Sequence, residues 1–144
     1  MANLSSLIRL RKHTVDQKQK FLADLYKQVD ALTAEKTSLN EQVAAERHQM
    51  EEQDMLEALA WFGRYAAGVK LKIELIDRDI QALEERIDIA RADLRNAFSE
   101  LKKIEITERR RREEERKKEQ VKENLALDEM GIEGHRRAKL QEQE

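Results

Sequence analysis

The sequence contains no cysteine and no proline, only four glycines in 144 residues, and aromatic side chains make up 4% of it. Without cysteine it has neither disulfides nor thiolate metal sites, which suits a reducing compartment. The missing prolines and scarce aromatics count against sheet-based or loop-rich folds, which draw on both. Large apolar side chains are too few for a compact three-dimensional core. No run approaches the roughly 18 apolar residues of a membrane span. At the N-terminus, Arg9, Arg11 and Lys12 occupy the place where a signal peptide carries its apolar stretch, so the expected location is cytoplasmic.

What is abundant is helix-forming material. Ala, Glu, Lys, Leu and Arg supply 82 residues, and 40% of the chain is charged, the composition of long helices or coiled coil. The formal net charge of −2 lacks the cationic excess that phosphate neutralisation needs, so no nucleic-acid partner is expected. Local balances are modest: +2 over residues 1–50, −4 over 51–106, +2 over 107–123 and −2 beyond.

Apolar residues spaced alternately by four and three keep one side of a helix toward a partner helix. The series Met55, Leu59, Phe62, Ala66, Val69, Ile73, Ile76, Ile80, Leu83, Ile87, Ala90, Leu94, Ala97, Leu101, Ile104 follows that spacing without a polar member. A weaker seam precedes it: Leu4, Ile8, Arg11, Val15, Lys18, Leu22, Leu25, Val29, Leu32, Lys36, Leu39, Val43, Glu46, Met50, in which Arg11, Lys18, Lys36 and Glu46 are the polar exceptions. Between the seams lies Glu46 to Asp54, polar apart from Met50. A reversal there would let the two seams cover one another along about 70 Å at 1.5 Å per residue. The expected fold is therefore all-α, a long antiparallel two-helix coiled-coil hairpin, monomeric by itself. Helix one covers about 3–48, the turn about 46–54 and helix two about 55–123, followed by a polar, frayed tail at 124–144. The alternative is one uninterrupted helix that dimerises in parallel. Gly63 and Gly68 offer a second place for a bend.

Beyond Ile104 opposite charges recur four apart, as in Glu108 with Arg112, Glu113 with Lys117 and Glu114 with Lys118, so a solvated helix can persist there without packing. The densest positive feature, Arg109 to Arg112, has three readings: a solvated helical face whose field Glu113 to Glu115 cancel, a contact for an acidic protein surface, or a nucleic-acid contact. Trp61 and Tyr65 stand four apart outside the seam, and Tyr26, Leu71 and Leu75 also lie off it; they either cover the rim of the coil or form a partner-binding patch.

Enzyme chemistry finds little support. His13, His48 and His135 are far apart, with no pairing on one helix face that would ligate a metal. Gly63 and Gly68 have phosphate-loop spacing, but Val69 and Lys70 follow where Lys and then Ser or Thr are required. Adjacent carboxylates such as Glu51 with Glu52, or Glu84 with Glu85, lack the concavity that would desolvate one of them. No catalytic residue, metal site or cofactor is expected.

Four segments stand out: Leu4 to Arg11 followed by Val15, Asp16, Gln17 and Lys18; the aromatic stretch Trp61 to Tyr65; Phe98 to Glu105; and Leu127 to Gly131 followed by His135, Arg136 and Arg137. They resemble the FliJ family, the small soluble component of the bacterial flagellar type III export apparatus, particularly its alphaproteobacterial members. The injectisome stalk proteins share this architecture. The resemblance implies a non-enzymatic antiparallel coiled coil resembling the central stalk of rotary ATPases. Its implied partners are the hexameric export ATPase, the membrane export gate and export chaperones, with peripheral association at the inner-membrane export apparatus. By the same resemblance the paired terminal ends would enter the ATPase ring, which makes Leu4, Leu7, Ile8, Arg9, Arg11, Lys12, Arg109, Arg110, Arg111 and Arg112 the ATPase-binding candidates. Trp61, Phe62, Tyr65 and Val69 are the export-gate-binding candidates. A general structural tether, or an injectisome stalk without a flagellar role, is the alternative.

Overall fold

The computed structural model describes residues 4–52 and 56–142. It contains two helices, α1 (Ser5–Glu52) and α2 (Leu56–Glu142), which pack against each other. Among the described residues only Leu4 is non-helical, and its carbonyl accepts the first helical bond of α1, from the Ile8 amide at 2.9 Å. Polar residues inside the helices keep the ladder intact. The hydroxyls of Thr14, Thr37 and Thr107 donate to the carbonyls four residues back, at 3.1, 3.0 and 2.8 Å, which satisfies them without competing for the helical amides.

The chain divides into two compact units. Leu10–Phe98 form one, and the N-terminal residues through Arg9 form the other together with Ser99–Glu144. In the first, Leu25 is 1% exposed and clusters with Leu83, Ile87 and Ala90, with Leu22, Val29 and Leu32 packed alongside. Lys36 Nζ donates to Asp77 Oδ1 at 2.7 Å, and the Arg47 guanidinium lies 5.7 Å from the Phe62 ring centroid. As the α1 numbers rise the α2 numbers fall, so the helices run antiparallel in this unit. Burying a large aliphatic side chain contributes about 1.5–3 kcal/mol, and the stripe supplies many such side chains.

All fourteen seam positions of α1 are buried or half-buried, including the polar Arg11, Lys18, Lys36 and Glu46. On α2 the positions from Phe62 through Ile104 are likewise buried or half-buried. Leu59 is exposed instead, because α1 ends at Glu52 and little of it remains to cover the start of α2. Met55 and the end of the expected turn, 53–54, lie outside the described residues.

Two boundaries differ from the sequence expectation. Residues 49–52, expected in the turn beyond helix one, are helical, since a polar stretch rich in Glu and Gln has good helix propensity and need not break a helix. The helix also continues through 124–142, where a frayed tail was expected. With no proline to stop it, even Gly131 and Gly134 adopt helical backbone angles, and Gly63 and Gly68 do the same, with no bend marked at either.

Candidate functional site

Carrying the four-three spacing past Ile104 leads to residues 108 and 111, the apolar stripe's continuation in charged form. Glu108 is 4% exposed. Its Oε1 accepts hydrogen bonds from Arg111 Nη2 at 3.0 Å and from Arg112 Nε at 3.2 Å. The Arg111 bond holds the Glu108 carboxyl below the usual carboxylate range, against the opposing effect of burial and with help from Arg112. Reciprocally, the bond to Glu108 raises Arg111 above the ordinary arginine value. Both partners are thus ionised, and the pair is charge-assisted.

This arrangement divides the arginine run. Arg111 is half-buried and Arg112 is exposed, and both are engaged with Glu108. Arg109 and Arg110 are exposed and have no acidic partner among the described residues. The Glu108–Arg112 pair read from the sequence forms, yet Glu108 is a buried member of the stripe. The signal that identifies it is its place in the four-three count, which outranks its charge.

The N-terminal candidates fall in both units. Leu4 and Ile8 are half-buried and Leu7 and Arg9 exposed, all within the unit that also holds Arg109 to Arg112. Arg11 and Lys12 belong to the Leu10–Phe98 unit. Arg11 is half-buried with its Nε out of reach of solvent, as a seam position dictates, while Lys12 is exposed.

Of the aromatic candidates, Trp61 and Tyr65 stack on each other with centroids 5.3 Å apart and planes within 3°. Trp61 is 46% exposed and Tyr65 half-buried, so the stack is partly open to solvent. Phe62 is half-buried next to Arg47. Val69 is 7% exposed, a core residue of the seam whose side chain is spent on packing and has little surface left for a partner.

Among the described residues no three His, Asp or Glu side chains gather as a metal site, and no helix is long and apolar enough to cross a membrane. The features with chemical character are surface charge on a helix and a stacked aromatic pair, which suit recognition of other macromolecules. They define a helical interaction protein of the coiled-coil type. The sequence model of the family described as "Flagellar FliJ protein" matches residues 1–140, and the chain belongs to the FliJ family. Membership implies a component of the flagellar export apparatus, and the family is a non-catalytic one. No curated protein and no solved structure gives a significant match.

Proposed function

We propose that this chain is a stalk-like element of the flagellar export apparatus that binds the hexameric export ATPase and links it to the membrane export gate. On this reading it works in the cytoplasm, peripherally associated with the membrane apparatus. The observation that carries the ATPase contact is the free pair Arg109 and Arg110, displayed on a helix whose neighbouring acid, Glu108, is already occupied by Arg111 and Arg112. Two guanidinium groups without an ion-pair partner among the described residues suit an acidic partner surface and speed encounter more than they deepen affinity. The open stack of Trp61 on Tyr65 supports the gate contact, since exposed aromatics on a rigid helix are frequent anchors of protein interfaces.

Charge reversal separates the two kinds of arginine. Arg109→Glu with Arg110→Glu should leave helix content unchanged while slowing association with the purified ATPase and reducing its stimulation, with the loss greatest at low salt. A folded reversal variant that stimulates the ATPase normally would exclude this contact. For the gate, Trp61→Ala with Tyr65→Ala should reduce binding and export with little change in melting. A variant that melts lower but exports normally assigns the pair to rim packing.

A further inference from the structure

The seam of α2 is apolar at every step from Phe62 to Ile104. A stripe of that kind holds a partner helix but does not choose its register, because a seven-residue slip replaces each apolar residue with another. If the α2 residue facing each α1 residue fell by seven, Val69 would take the place of Ile76, Ile76 that of Leu83 and Ile80 that of Ile87. The connection would retreat by about three or four residues, half the slip, into Glu46–Glu52, which is polar except for Met50. That stretch does not resist the change, and the stripe resists it only through side-chain size, as where Leu83 would take the place of Ala90 beside Leu25.

Two polar members of the α1 seam, Lys36 and Lys18, do resist it. Half-buried Lys36 bonds to Asp77 at 2.7 Å. Half-buried Lys18 and exposed Asp93 line one groove of about 340 Å³ without forming an ion pair. After the slip, Lys36 would face Lys70 in place of Asp77, and Lys18 would face Arg86 in place of Asp93. The Lys36–Asp77 attraction would become a repulsion, and Lys18 would exchange an acidic groove neighbour for a basic one. The opposite slip brings Lys36 to Glu84 and is tolerated electrostatically, but it drives the connection toward Leu59 and Phe62 and breaks the start of the stripe. We infer that Lys36 with Asp77, seconded by Lys18 with Asp93, sets the register of the hairpin in the Leu10–Phe98 unit, against a competing register one heptad away. Polar residues at single core positions of coiled coils specify register at a cost in stability. Lys36 and Lys18 would otherwise be mere weaknesses of the α1 seam.

The chain has no cysteine, so spin labels can be attached at Thr33→Cys and Arg91→Cys, both exposed, and their separation read by pulsed electron resonance. The parent should give one distance. The fourfold exchange Asp77→Lys, Lys70→Asp, Asp93→Arg and Arg86→Asp moves both acids seven residues back. It should lengthen that distance by about 10 Å, seven residues at 1.5 Å each. Replacing Lys36 and Lys18 together by Leu should raise the melting temperature while adding the longer distance to the shorter one. An unshifted distance in a fourfold variant that circular dichroism shows to be helical overturns the inference. If that variant loses its helix, a single unshifted distance in the Lys→Leu variant overturns it instead.

Discussion

Between Phe62 and Leu101, α2 presents an apolar residue at every three-four step and buries that stripe, whereas between Arg112 and Glu142 the same helix is exposed at every described position. Both stretches are rich in Ala, Glu, Lys, Leu and Arg, and both are helical, but for different reasons. The first is held by packing. The second depends on propensity and on surface pairs such as Glu133 with Arg137 at 4.0 Å, which contribute a few tenths of a kcal/mol each. Helical composition is therefore no guide to where stability resides; the spacing of the apolar residues is.

The sharpest test places one substitution on each side of that divide. Leu83→Ala, at an 8% exposed position, should cost about 2–4 kcal/mol, from lost burial plus an incompletely closed cavity. Urea unfolding followed by circular dichroism measures it. A cost under about 0.5 kcal/mol, the range of surface substitutions, would mean that the stripe does not hold the helix.

Glu108 lies at the border, where the stripe turns charged. Its carboxyl is held below the ordinary carboxylate range by Arg111, so the folded state favours the ionised form. Its contribution is complete above the ordinary carboxylate pKa and fades as pH falls through the lowered folded value. Glu108→Gln should weaken the structure near neutrality and flatten the acid limb of the stability profile. An unchanged acid limb would show that the clamp contributes nothing to folding.

The exposed stretch should respond to propensity where the buried one responds to packing. A methyl added at Gly131 or Gly134 meets no heavy atom within 4 Å, and neither glycine has a positive φ. Gly131→Ala and Gly134→Ala should each strengthen the local helix by about 0.5–1 kcal/mol. Slower amide exchange around residues 125–140 would report it, with the main melting transition unmoved. The smallest effect belongs to Leu125→Ala: at a 59% exposed position, the same residue change as at Leu83 should alter stability by less than about 0.5 kcal/mol. A larger loss would reveal packing on this stretch and remove the contrast.

Periodicity carried most of the fold. A four-three count depends only on which face of a helix each residue occupies, so it located the stripe even at the polar positions Arg11, Lys18, Lys36 and Glu46, all at least half-buried. The all-helical class followed from composition, and the family from segments spread along the chain. Three features were decided by tertiary structure. Glu108 and Arg112 read as a solvated pair because charge implies solvent, and packing decided in favour of the four-three count, which places Glu108 on the stripe, over its charge. The run Arg109 to Arg112 read as one cluster; Glu108 divides it, since a buried carboxylate must be paired and takes the arginines three and four residues ahead on the helix. Lys36 read as an interruption until Asp77, 41 residues away, supplied its partner at 2.7 Å. Local sequence determines which face of a helix a side chain occupies, but what lies across from that face depends on how the chain returns, and return requires a second helix in a definite register.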